Sequence, residues 1–216
     1  MGYDTVIFDL DGTLLDTLDD LMDSCNYALS TIGEPARTRA EIRRFVGNGI
    51  RNLMKQAVPG GEEHPRFEEV YTTMQNWYRA HNQIKTAPYP GVQALIRTLQ
   101  KRGVPMAVVS NKPDSSVQIL MGQWFPEITV GVGETQGLRR KPERDMVDYA
   151  LDKLGNPAAH AVYVGDSEVD LATAANAELD CISVTWGFRD RALLEQKGAR
   201  QFAETTEELL ALLEAD

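Results

Sequence analysis

Apolar positions along this chain follow two alternating rhythms. Val6-Ile7-Phe8, Val104–Val109, Ile128–Val132, Ala161–Val164 and Cys181–Thr185 are short, nearly continuous apolar runs rich in β-branched residues. Runs of that kind predict strands buried on both faces. Arg200–Ala203 predicts a last, shorter strand. Between the runs, apolar residues recur at three- and four-residue steps, predicting helices over Val92–Arg102, Asp114–Met121, Glu143–Leu154, Glu168–Ala175 and Thr206–Leu213. Gly103 and Gly155 stand where the first and third of these should end. Strand and helix in alternation imply an α/β fold, a parallel sheet with helices on both faces.

One stretch breaks the rhythm. About ninety residues separate the first two strands, far more than one crossover needs. Leu18, Leu21, Met22, Cys25, Ala28, Leu29 and Ile32 predict a helix over Thr17–Ile32, ended by Gly33. From Glu34 to Thr86 there is no β alternation. The pattern predicts helices over roughly Arg39–Val58 and Pro65–Asn82, joined by Val58-Pro59-Gly60-Gly61. Met54, Phe67, Val70, Tyr71, Met74, Trp77 and Tyr78 fall as a helical core stripe. The expected organisation is therefore a core of residues 1–15 and 87–216 with a small helical domain, 16–86, inserted beside the mouth of the sheet.

Composition narrows the class of partner. With 216 residues, 43% hydrophobic and 25% charged, the chain has the make-up of a soluble globular protein. Its formal net charge of −10 argues against nucleic acid, which requires a basic face. An acidic protein that handles an anion must concentrate positive charge locally, through a metal, a few basic side chains or helix N-termini. Cys25 and Cys181 are too far apart for a metal spacing and are expected to be buried small residues in a reducing compartment. No run approaches transmembrane length, and Met1 leads almost directly into the first strand, so no leader, no membrane and a cytoplasmic location are expected.

The candidate chemistry lies at strand ends. Val6-Ile7-Phe8-Asp9-Leu10-Asp11-Gly12-Thr13 carries two carboxylates into a turn at Gly12. Ser110 ends the second core strand, Asp166 follows Gly165 with Asp170 in the next helix, and Lys141 lies in a loop before a helix. Each alone could be a cap or a solvated charge. In a parallel sheet, however, the carboxyl ends of the strands converge on one crevice. Several carboxylates, a hydroxyl and an ammonium gathered there suit Mg²⁺ and phosphoryl transfer, and a carboxylate can itself be the nucleophile. His64, His81 and His160 show no ligand spacing.

Asp9-Leu-Asp-Gly-Thr13, the Ser110 strand end, Lys141-Pro142 and Gly165-Asp-Ser-Glu-Val-Asp170 together resemble the four motifs of the haloacid dehalogenase superfamily, in order along the chain. The insert resembles that superfamily's helical cap. Phe45-Val-Gly-Asn-Gly-Ile50 and Val109-Ser-Asn-Lys-Pro113 resemble the phosphoglycolate phosphatases within it.

The resemblance implies a Rossmann-like core and a Mg²⁺-dependent phosphomonoester hydrolase working through an aspartyl-phosphate. Asp9 would be nucleophile and metal ligand. Asp11 would protonate the leaving group, activate water and lend a backbone carbonyl to the metal. Ser110 and Asn111 would bind the phosphoryl group and Lys141 would neutralise charge. Asp166 would bind Mg²⁺, with Thr13 and Asp170 in support. Asp11 should have a raised pKa, from neighbouring carboxylates. In the cap, Gly47, Asn48, Gly49 and Arg51 would meet the leaving group. The expected substrate is a small phosphorylated metabolite, and the protein a monomer or homodimer. A sugar phosphomutase, a pyrophosphatase, a nucleotidase and a phospho-aspartate signalling domain are the alternative readings.

Overall fold

The computed structural model describes residues 2–155 and 160–215. The chain forms two compact units, Met1–Leu15 with Pro88–Asp216, and Asp16–Ala87. The division falls after Ala87, one residue later than the sequence pattern places it.

The larger unit is built on a six-stranded parallel sheet. Its strands are β1 (Thr5–Phe8), β4 (Met106–Pro113), β5 (Val130–Glu134), β6 (Ala161–Gly165), β7 (Asp180–Val184) and β8 (Gln201–Ala203). Two-residue strands, β2 (Leu15–Asp16) and β3 (Ala87–Pro88), pair separately where the chain leaves and rejoins this unit. The sheet order is β5-β4-β1-β6-β7-β8, so the chain winds outward from β1 first to one side and then to the other. That is the doubly wound Rossmann order, and its ligand crevice opens beyond the carboxyl ends of the strands where the winding reverses, at β1 and its neighbours.

Side chains alternate between the faces of the sheet, as strand geometry requires. Val6, Phe8, Val108, Val162 and Val164 join one apolar cluster with residues of α5 (Val92–Lys101), α6 (Asp114–Trp124) and α10 (Thr206–Glu214). Ile7, Ala107, Val109, Ala161 and Tyr163 join the other, with α7 (Asp145–Leu154) and α8 (Glu168–Asn176). In α5, Val92, Leu95, Ile96 and Leu99 are buried, the stripe that the sequence spacing predicts. A short α9 (Arg191–Gln196) has no counterpart in the sequence reading.

The smaller unit is helical. In α1 (Leu18–Thr31) the buried residues include Leu21, Cys25, Ala28 and Leu29. In α4 (Phe67–His81) they are Phe67, Val70, Met74 and Tyr78. Trp77 instead stacks between Tyr27 and His81, with ring centroids 3.6 and 4.0 Å apart. His64 is also engaged, 3.8 Å from Glu34. The helix expected over Arg39–Val58 is two helices, α2 (Arg39–Phe45) and α3 (Gly49–Ala57). Between them Val46 is extended, and Gly47 and Gly49 have φ of 124° and 77°. Left-handed backbone at two glycines cannot continue a right-handed helix. Both cysteines are free, and burial pushes the Cys25 thiol up to about 12, which suits a packing role.

Candidate functional site

β1 ends at Phe8, and the Asp9 amide donates to the Val164 carbonyl at 2.9 Å, which carries the parallel pairing with β6 one step further. The chain then folds back tightly. Leu14 and Leu15 amides both donate to the Leu10 carbonyl, and the Gly12 amide donates to the Leu15 carbonyl. Gly12 has φ of 91°, and a Cβ on it would collide with the Asp166 carboxylate. Gly187, in the loop after β7, stands against the same carboxylate. Backbone thus closes on Asp166 from two sides, an approach that only glycine permits.

Asp9 and Asp11 have different partners. Lys141 Nζ lies 2.8 Å from Asp9 and 2.8 Å from Asp170, with only 3% of its side chain exposed. Lys112 Nζ lies 2.8 Å from Asp11 Oδ1, with 2% of its side chain exposed against 19% for Asp11. The group paired with Asp11 is therefore an ammonium, where the sequence reading expected neighbouring carboxylates.

Lys141 is held from several directions. Its backbone N–H donates to Asn111 Oδ1 at 2.8 Å, and Asn111 Nδ2 donates back to its carbonyl at 3.1 Å. Its ammonium also donates to Tyr163 Oη at 3.0 Å, and that hydroxyl donates in turn to the Val109 carbonyl. Asn111 thus spends its amide on positioning Lys141. Ser110 Oγ accepts from the Lys112 amide at 3.3 Å.

A break in the sheet brings these residues together. Between Val109 and Pro113 the β4–β5 register shifts, with Val109 opposite Val132 but Pro113 opposite Glu134. Four steps of β4 run against two of β5. Such a bulge turns side chains out of the ladder, and it contains Ser110, Asn111 and Lys112.

Asp166 and Asp170 come from β6 and α8. Asp170 Oδ2 accepts from the Asp166 amide, the Ser167 amide and the Ser167 hydroxyl at 3.2, 3.0 and 2.6 Å, while Oδ1 accepts from Lys141. Asp166 accepts from the Phe188 amide at 2.6 Å and from Thr13 Oγ1 at 3.3 Å. Arg189, buried beside it, forms a two-point pair with Glu168.

Burial and the Asp170 carboxylate push Asp9 up to about 7 against the pull of Lys141. Burial, Asp170 and Asp9 likewise raise Asp166 well above the usual carboxylate range. Burial opposes charge on Lys141, but Asp170 and Asp9 outweigh it and hold the ammonium well above its ordinary range.

Carboxylate oxygens of Asp9, Asp166 and Asp170 all lie within 4.8 Å of one another, and all three residues are buried. Hard oxygen donors, crowded enough to resist ionisation without a counter-charge, fit a small divalent cation such as Mg²⁺. The Asp11 side chain is not in this cluster; its pairing is with Lys112.

The remaining expected residues lie in the helical unit. Gly47, Asn48 and Gly49 form the turn between α2 and α3. Arg51 is bound within the unit by Glu62 at 2.7 Å and by Glu68 at 2.6 and 3.2 Å, over the rings of Phe67 and Tyr71. That network accounts for its guanidinium as a brace of the unit. Lys112 and Tyr163 escaped the sequence reading, which placed the Gly187 loop close to the crevice without giving it a role. Lys112 sits inside the quoted Val109–Pro113 segment, in which the sequence reading gives roles to Ser110 and Asn111 alone.

A family model described as haloacid dehalogenase-like hydrolase matches residues 6–184. A phosphoglycolate phosphatase of Pseudomonas fluorescens (strain Pf0-1) is 31% identical over 193 residues, covering 85% of this chain and 70% of the relative. One from Agrobacterium fabrum is 32% identical over 201 residues, covering 88% and 83%. The crystal structure of a protein provisionally named phosphoglycolate phosphatase, from Lactobacillus delbrueckii subsp. bulgaricus, superposes with a TM-score of 0.95 at 37% identity, over 100% of both chains.

Proposed function

Because the chain belongs to the haloacid dehalogenase-like hydrolase family, we propose that it is a Mg²⁺-dependent phosphomonoesterase that works through an aspartyl-phosphate on Asp9 and takes 2-phosphoglycolate or a similarly small phosphate ester. The family's description names a hydrolase, and the curated relatives are named phosphoglycolate phosphatases. The observation that carries the reading is the buried constellation of Asp9, Asp166 and Asp170 with one ammonium, Lys141, 2.8 Å from two of them. Phosphoryl transfer asks for this combination of a fixed nucleophile and fixed charges.

Asp9 and Asp166 side chains and the Asp11 backbone carbonyl would hold the metal. When bound, Mg²⁺ supplies positive charge that offsets the carboxylates and the phosphoryl oxygens. An Asp9 oxygen attacks phosphorus, the bond to the ester oxygen breaks, and Asp11 gives that oxygen its proton. In the second half Asp11 takes a proton from water as the water oxygen attacks phosphorus. Inorganic phosphate leaves and the Asp9 carboxylate is restored. Lys141, fixed by Asn111, Tyr163 and Asp170, draws Asp9 towards its ionised form. The Ser110 hydroxyl, its oxygen already accepting from the Lys112 amide, turns its proton to a phosphoryl oxygen. Asp170 and Thr13 keep Lys141 and Asp166 in place. The helical unit is proposed to act as the family's cap, in a protein of the cytoplasm.

Phosphate release from a panel of small phosphomonoesters, with Mg²⁺ and again with a chelator, tests the reading. Release that needs the cation, with phosphoglycolate among the best substrates, is the expected result. Equal release in chelator, or no release from any ester, overturns it.

A further inference from the structure

The site floor holds two buried lysines, and the mechanism above uses one. Lys141 serves the nucleophile, between Asp9 and Asp170. Lys112 stands elsewhere, on Asp11, and its ammonium is as deeply buried. Burying a lysine costs several kcal/mol unless its charge is matched, and Asp11 supplies that match here.

Resting on the proposed role of Asp11, we infer that Lys112 is a specificity-determining residue that selects phosphate esters whose leaving alcohol carries a carboxylate on the carbon next to the ester oxygen.

Three observations carry the inference. The first is position: the group that protonates the leaving oxygen must come within hydrogen-bond reach of it. An ammonium 2.8 Å from Asp11 Oδ1 is therefore on the leaving-group side of the site. A carboxylate one carbon from the ester oxygen falls within the reach of such an ammonium.

The second is capacity. An ammonium has three N–H donors, and Lys141 shows that one lysine in this site can hold two carboxylates at 2.8 Å each. Lys112 can hold Asp11 and a substrate carboxylate in the same way.

The third is the field. An anionic leaving group must approach Asp9, Asp11, Asp166 and Asp170, and like charges at short range in a buried site repel strongly. Lys112 is the cation seated on the Asp11 side of that group, so it offsets the repulsion where the leaving group lies. The β4 bulge that displaces Ser110 from the ladder also delivers Lys112. The phosphoryl contact and the proposed selector thus come from one distortion of one strand.

The test compares two esters of similar size, 2-phosphoglycolate and 2-hydroxyethyl phosphate, on the same preparations of wild type, Lys112→Gln and Lys112→Arg, with Mg²⁺. Their ratio of kcat/KM does not depend on how much of a variant is folded. The wild type should prefer the carboxylate ester. Lys112→Gln should lower that preference by at least about tenfold, the scale of one hydrogen bond to a charged group. Lys112→Arg should keep a larger share of it. Parallel loss on both esters in Lys112→Gln would show that Lys112 only orients Asp11, and would overturn the inference. So would a wild type indifferent to the carboxylate. Hydrolysis of neither ester by the wild type would instead remove the phosphatase reading, and the inference with it.

Discussion

Asp9 and Asp11 are separated by one residue, yet each is paired with a different lysine, brought from a different part of the chain. That separation fits the different work proposed for the two carboxylates. Asp9→Asn removes the proposed nucleophile and should lower turnover by about 10³-fold or more, with the far-ultraviolet circular dichroism unchanged. Substantial phosphate release by that variant would sink the covalent route. Asn111 acts at one remove, since both ends of its amide bond the Lys141 backbone. Asn111→Ala should let Lys141 drift and lower kcat by about a hundredfold, the cost of a misplacement near 1 Å. KM should move much less. A rise in KM at constant kcat would show that Asn111 binds substrate directly.

At the scale of elements, the helical unit shows how one buried carboxylate ties distant segments. Asp20, in α1, accepts from the Lys85 and Thr86 amides and from the Thr86 hydroxyl, at 2.8 to 3.1 Å. Asp20→Ala would strand buried donors and should cost about 3 kcal/mol of unfolding free energy, measurable by urea titration. At the surface, Thr38 and Glu41 form a reciprocal cap at the start of α2. Thr38→Ala should cost only about 1 kcal/mol, and a loss equal to that of Asp20→Ala would contradict this ordering. In the sheet, the bulge in β4 shapes the candidate site: a regular ladder there would alternate Ser110, Asn111 and Lys112 between two faces.

For the whole molecule, the crowded carboxylates would couple binding of the proposed metal to stability. Asp9 is raised to about 7 in the folded protein, above the value near 4 of an unfolded chain. A carboxyl raised in this way adds stability at pH below about 4 and loses it progressively as pH rises to about 7. A cation that binds the ionised carboxylates reverses that loss, because it binds the folded state alone. Thermal melting should show a larger stabilisation by Mg²⁺ at pH 7.5 than at pH 5.5, referred in each case to chelated protein. An equal shift at both pH values would argue that Asp9 is not a ligand. Among the described residues no helix is long and apolar enough to cross a membrane.

The strands of the six-stranded sheet, the helices of its unit apart from the short α9, and the helical insert were legible in the sequence because each rests on local periodicity. The parallel sheet follows from strand and helix taking turns, and the presence of chemistry at strand ends from the residue types after Phe8, Val109 and Gly165. Helix breaks were less legible. Gly47 and Gly49 could be read as a turn, but the periodic apolar positions on either side pointed to one continuous helix. What sequence could not decide was pairing. Whether Asp11 meets carboxylates or an ammonium, whether Asn111 faces the crevice or braces Lys141, and whether Arg51 is available or bound to Glu62 and Glu68 depend on residues far apart in the chain. Side-chain periodicity fixes which face a residue takes within its own element. It carries no information on a two-residue bulge, and in this protein that bulge brings Ser110, Asn111 and Lys112 to the partners they meet in the candidate site.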